Sequence, residues 1–217
     1  STTVPLRANC TTLSAAVANT SMCKDTTRGV LLGHDGTVWR TDAELATTSA
    51  TTLSTSLGRS ALTLTTATGV NNIALGTQAL TAATTAQSSV AIGYQALLSA
   101  TTADDNIAIG SQALRLYATG SGTHIAIGNS SLWSITTGTS HTAIGQYALN
   151  LLNGSSGNVA VGHQAMQNTT ASTESVAIGI QAMWKNTTGS LNTAVGGEAL
   201  GHNNTGSSNV AIGYTAL

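Results

Sequence analysis

A nine-residue phrase closes the chain, "NVAIGYTAL" from Asn209 to Leu217. Near-copies of it stand upstream as "SVAIGYQAL" from Ser89 and "NIAIGSQAL" from Asn106. With the glycine of the phrase as origin, the copies fall at Gly76, Gly93, Gly110, Gly128, Gly145, Gly162, Gly179, Gly196 and Gly213. The step is 17 residues throughout, except for 18 between Gly110 and Gly128. Nine copies in register constrain the architecture more than any other feature, because a fixed short period marks stacked repeats, each contacting only its neighbours.

Within the phrase the side chains keep their type. Alanine stands two places before every glycine, at Ala74, Ala91, Ala108, Ala126, Ala143, Ala160, Ala177, Ala194 and Ala211. Leu, Ile or Val stands one place before. The residue three before is always β-branched, with Thr142 and Thr193 in place of Ile or Val. Such residues suit strands. Leu or Met follows four places after, and links such as "ATTAQSS", "NGSSGN" and "NTTGSLN" carry turn chemistry. One short strand, a glycine break, a second apolar segment and a turn per repeat predict an all-β fold, a parallel β-roll or β-solenoid with one coil per repeat. The period is too short for helical-pair repeats of about 33 residues, and a glycine in the middle of each phrase works against helix. At about 4.8 Å per coil, nine coils stack to roughly 40 Å.

Alternation places residues such as Val90 and Ile92 on one face of the strand, and Ala91 and Gly93 on the other. The expectation is that the β-branched face fills the coil, leaving the Ala/Gly face bare enough for another backbone to approach. Few large side chains are available to offset the entropy of ordering each coil. A homo-oligomer of cyclic symmetry is therefore expected, with the Ala/Gly face against identical chains.

Composition narrows the function classes. Charged residues make up 7% of the 217 residues and the formal net charge is −1, so no basic field exists to draw in nucleic acid or anionic lipid. No apolar run approaches the roughly 20 residues needed to span a bilayer, and "STTVPLRANC" lacks the basic-then-apolar order of a signal peptide. Cys10 and Cys23 match no zinc spacing. They are read either as a disulfide closing a short loop or as two buried thiols.

Nine of the fifteen charged residues lie in the first 60 positions, which sets that region apart. Residues 1–45 read as an N-terminal adaptor, 46–69 as a Thr/Ser-rich connector and 70–217 as the array. "LLGHDGTVWR" predicts a hairpin, with Asp35-Gly36 as a two-residue turn between strands at 31–34 and 37–40. "TDAE", from Thr41 to Glu44, has capping-box spacing for a short helix.

The array offers little for catalysis. Glycoside hydrolysis needs two carboxylates about 5–9 Å apart, and the candidates are Asp104, Asp105, Glu174 and Glu198. Glu174 and Glu198 sit seven places apart laterally, up to roughly 23 Å in extended chain. The two aspartates are adjacent in a turn. "TGSGTH" lacks the Lys and the strand-to-helix context of a phosphate loop. No cofactor or metal is expected. His124 and His141 both lie four before their glycines, so they stack within about 5 Å. They read as a metal or anion site, a pH-sensitive seam, or members of a polar ladder with Asn72, Asn106, Asn158, Asn192 and Asn209. Gln78, Gln95, Gln112, Gln164 and Gln181 share the slot two after glycine and predict an amide ladder. Trp133 and Trp184, each five after a glycine, are candidates for surface recognition by stacking on sugars, or for packing between chains. The Thr pairs at Thr136-Thr137 and Thr187-Thr188 sit in turns rather than on a flat strand face, which works against an ice-binding solenoid.

The phrase "SVAIGYQAL" and its polar turns resemble the repeats of trimeric autotransporter adhesin heads, and more closely the repeat arrays of tailed-phage tail fibres. The resemblance covers about residues 70–217. It implies a left-handed parallel β-roll, three chains around one axis, and a role in attachment to a cell surface. The expected function is thus a non-enzymatic fibre segment, extracellular on a virion or bacterial surface. Its partners would be two identical chains, other fibre or tail proteins through the adaptor, and a host-surface glycan or protein. A capsule-degrading spike enzyme and a bacterial adhesin head are the alternatives. Such fibres often carry a C-terminal self-cleaving chaperone domain; the sequence has none, so the expectation is a matured product or a truncation.

Overall fold

The computed structural model describes residues 54–62, 69–120 and 122–217. It also describes the backbone of three short strands, β1 (Cys23–Asp25), β2 (Val30–His34) and β3 (Trp39–Thr41). From residue 54 onward the repeats build twelve more strands. These are β4 (Thr55–Leu57), β5 (Ile73–Leu75), β6 (Val90–Ile92), β7 (Ile107–Ile109), β8 (Ile125–Ile127), β9 (Gly138–Thr139), β10 (Thr142–Ile144), β11 (Ser155–Ser156), β12 (Val159–Val161), β13 (Val176–Ile178), β14 (Thr193–Val195) and β15 (Val210–Ile212). All but β9 and β11 join one ten-stranded parallel sheet in chain order, while β9 and β11 form a small parallel pair of their own. Alanine stands opposite alanine from coil to coil, as in Ala91 against Ala108 and Ala143 against Ala160. No helix occurs among the described residues. The array is a parallel β-solenoid.

The glycines set the distance between coils. Gly93 has φ +131°, and a Cβ there would stand 2.5 Å from the carbonyl oxygen of Gly110 one coil on. The same relation joins Gly110 to Gly128. The close backbone approach expected at this slot therefore exists, between coils of one chain.

The two faces of the strand are reversed from the sequence reading. Every phrase alanine from Ala74 to Ala194 is fully buried, and the β-branched residues beside them are half-buried or exposed. The cause lies on the opposite wall of the coil. There the alanine three after glycine and the Leu or Met four after are both buried, as with Ala96 and Leu97 or Ala165 and Met166. Two neighbouring residues can face inward because the second has positive φ, 49° at Leu97 and 52° at Met166. Left-handed backbone costs about 1–2 kcal/mol at a non-glycine residue, and burying a Leu or Met side chain returns about 1.5–3 kcal/mol. With those long side chains crossing the lumen, only a methyl fits opposite them. Val and Ile are left to face outward.

The lumen also holds a ladder of side-chain acceptors four before each glycine. The Ser89 N–H donates to Asn72 Oδ1 at 3.0 Å, the Asn106 N–H to Ser89 Oγ at 3.2 Å, and the His124 N–H to Asn106 Oδ1 at 3.0 Å. The series continues through His141, Asn158, Ser175, Asn192 and Asn209. Asn158 also donates from Nδ2 to the Ser172 carbonyl, so it ties its own coil closed while capping the next. Asn158→Ala is expected to leave the buried Ser175 N–H and Ser172 carbonyl without these partners, at about 1–3 kcal/mol each. Chemical denaturation should show that loss, and a change under 0.5 kcal/mol would contradict the role given to the ladder.

Two boundaries differ from expectation. The solenoid begins one coil early, because β4 lies within the stretch read as a connector and pairs with β5. Its Gly58 has φ +137°, and Ala61 and Leu62 are buried in the usual slots, with Ser56 replacing the phrase alanine. The single 18-residue step within the nine copies accommodates Tyr117, whose buried ring accepts the Gly122 N–H on its hydroxyl at 3.2 Å. A Cβ at Gly122 would lie 3.0 Å from that hydroxyl. In the N-terminal hairpin His34 pairs with Trp39 and Gly33 with Arg40, so four residues rather than two link the strands. β2 is held on its other edge by β1, and a strand held on both edges takes its register from the sheet. Residues 35–38, the helix proposed to start at "TDAE" beyond Thr41, and Cys10 with its pairing to Cys23 lie outside the described residues.

Candidate functional site

The largest feature that the coils present outward is the outer face of the ten-stranded sheet. Positions three and one before each glycine form two parallel columns of Val, Ile and Leu, with threonine at Thr55, Thr142 and Thr193 and no charged residue in either. Ile125 and Ile144 are each 37% exposed and Ile178 41%. Ten strands about 4.8 Å apart make a strip of about 43 Å, and two side chains of width give it on the order of 400 Å². That is within the roughly 300–600 Å² of the largest apolar patch on a typical monomeric protein, a patch that is often functional. The charged residues of the array, including Asp104, Asp105, Arg115, Glu174, Lys185 and Glu198, lie in the turns and outer segments instead.

A second surface is polar and rigid. Gln95 Nε2 donates to Gln78 Oε1 at 2.9 Å, Gln112 to Gln95 at 3.3 Å, and Gln181 to Gln164 at 2.9 Å, so the expected amide ladder forms in two runs. Ser130 and Tyr147 occupy the slot between the runs. The half-buried Trp133 ring lies 5.9 Å from the Arg115 guanidinium, which donates from Nε to Gln95 Oε1. Trp184, also half-buried, has Lys185 Nζ 5.6 Å from its ring centroid and donates from Nε1 to Gln167 Oε1. Each indole thus has a cation beside it, and Trp184 is also fixed by its hydrogen bond. Three coils separate the two, about 14 Å along the axis.

The histidine pair lies inside the roll. The rings of His124 and His141 stack at 5.3 Å between centroids and 8° between planes, as their shared slot requires, and Tyr117 meets His124 edge-on at 4.6 Å. Burial, and secondarily the adjacent His141, lowers the His124 pKa from its usual 6.5 to about 4, while the Gly138 carbonyl works in the other direction. Burial likewise lowers that of His141, against the opposing effect of the Ser155 carbonyl. No cluster of three metal-binding side chains exists among the described residues. The pair serves as two rungs of the acceptor ladder.

Of the carboxylates, Asp105 shares a surface cleft with the two histidine residues. Asp104 accepts the Gln87 N–H at 2.7 Å, fixing a turn, and Asp105 is exposed with φ 57°. Sequence reasoning missed the ladder serines Ser89 and Ser175. The signal for them was the slot itself, which holds a side-chain hydrogen-bond acceptor in every copy. Among the described residues, no helix is long and apolar enough to cross a membrane. No family model, curated protein or solved structure matches the chain.

Proposed function

We propose that the chain is a non-enzymatic shaft segment of an extracellular fibre, a homotrimer that spaces and presents recognition of a cell surface. The observation that carries this reading is the uncharged Val/Ile strip along all ten strands, half-buried or exposed in the single chain. Three copies around one axis would bury three such strips against one another and leave the turns outward. In-register coils keep the strip straight, so the trimer can extend as long as the repeats do. This revises which face meets the neighbouring chains, from the Ala/Gly face to the β-branched one, and keeps the cyclic symmetry. The carrier is a phage tail fibre or a bacterial surface adhesin, joined to its other proteins through the N-terminal region.

Trp133 and Trp184, each with a cation beside the ring, are the surface groups suited to a glycan on the target cell. Immunogold labelling with antibodies against the array tests the reading. Gold on virion tails or on the outer surface of the producing cell is expected, and label confined to the cell interior would overturn it. Replacing both tryptophans with alanine should weaken adherence of the purified protein to target cells at least tenfold without changing its circular dichroism. Unchanged adherence would remove them from the recognition surface.

A further inference from the structure

We propose that His124 and His141 form an acid-sensitive joint in the solenoid, closed while both rings are neutral and opened when the ladder nitrogens take up protons. The hydrogen-bond directions fix the tautomer of each ring. The His141 N–H donates to His124 Nδ1 at 3.3 Å, and the Asn158 N–H donates to His141 Nδ1 at 3.2 Å. A backbone N–H has no acceptor capacity, so each Nδ1 must be the unprotonated nitrogen of its ring. His141 Nε2 then donates to the Ser155 carbonyl at 2.8 Å. His124 Nε2 is buried and has no hydrogen-bond partner. Protonating either Nδ1 turns donor against donor across the coil boundary and removes one of the bonds joining that coil to the next.

Asparagine and serine do the same work elsewhere in the ladder without this liability, since their acceptors do not titrate near neutral pH. In the closed state the Gly138 and Ser155 carbonyls favour a charged ring, but burial outweighs them. Tyr117 is the titratable group against His124 inside the roll. Asp105 is exposed, lining a surface cleft of about 280 Å³ together with both histidines, and no lysine or arginine lines that cleft. Two parallel imidazolium rings at 5.3 Å would also repel each other.

The sign of the pH effect follows. An opened histidine takes up its proton near 6.5, whereas His124 in the closed coil does so only near pH 4. The open state therefore binds more protons between these values. The closed joint keeps its full stability above pH 6.5 and loses it as the pH falls toward 4, about tenfold in the opening equilibrium per pH unit for each proton taken up. Because coils in a solenoid contact only their neighbours, opening should stay local, dividing the array between β8 and β12. The inference concerns bonds within one chain and does not depend on the trimer.

Hydrogen exchange at single backbone amides tests it on the intact protein. The protection factors of the His141 and Asn158 amides, corrected for intrinsic exchange, should fall on the order of a hundredfold between pH 6.5 and 4. Those of Ser89 and Asn209, whose acceptors are asparagine oxygens, should hold. The double variant His124→Asn/His141→Asn should flatten the response. A flat wild-type profile at His141 and Asn158 would overturn the proposal, as would the same fall in the double variant. Imidazole ¹⁵N shifts of the wild type supply an independent check. A protonated Nδ1 on either ring at pH 7 would also overturn it.

Discussion

Gly93→Ala is expected to lower the stability of the array by about 3 kcal/mol or more. Two costs combine. At φ +131° a side chain is strained by about 1–3 kcal/mol whatever space surrounds it. The added methyl would also sit 2.5 Å from the Gly110 carbonyl oxygen, a contact with backbone rather than with a side chain that could swing away. Relieving it means separating two coils. That strains the bond from the Gly110 N–H to the Ile92 carbonyl across the same boundary, 2.7 Å long. For a chain of this size, 3 kcal/mol corresponds to a fall in Tm of roughly 6–12 °C. Differential scanning calorimetry reads it directly, and a Tm within 1 °C of wild type would mean the coils are not stacked through this glycine column.

A change on the outer face should act differently. Ile144→Asp places a carboxylate in the apolar strip, where Ile144 is 37% exposed in the single chain and pairs across the ladder with Ile127. The coil interior is untouched, because Ala143 beside it points the other way and is fully buried. The single chain should therefore keep its β-structure. In the proposed trimer the same substitution occurs three times around the axis, and each unpaired buried charge costs about 3–5 kcal/mol. Loss of the trimer with retained circular dichroism is the expected result. A variant as trimeric as wild type would remove the strip from the interface. One that unfolds as a monomer would show that Ile144 supports the coil itself.

The contrast between these two sites shows what the sequence could convey. The 17-residue glycine column announced coil stacking because a recurring glycine in a strand has few other uses. Alternation divided the strand into two faces, but it does not say which face is inside. That depended on Leu97 and its equivalents adopting positive φ, so that two consecutive residues on the far wall point inward. Leucine has no intrinsic preference for that backbone, and the tertiary setting imposes it. The coil at Gly58 was hidden because Ser56 replaces the phrase alanine, although serine fits the same small inward slot.

The candidate sites divide the same way. The stacking of His124 on His141 and the glutamine runs followed from equal offsets in successive repeats. The tautomer of the histidines did not, since it depends on which backbone N–H meets Nδ1 in three dimensions. Ser89 and Ser175 escaped notice because serine is abundant throughout the links, and only the hydrogen-bond register distinguishes these two from the rest.

The central claim is that the β-branched strip is an interface between three copies of this chain. Sedimentation equilibrium of the purified protein at neutral pH tests it most directly, since it returns mass without reference to shape. A single species at three times the chain mass of 21.7 kDa is the predicted result. A folded species at the mass of one chain, stable across the concentration range, would contradict it.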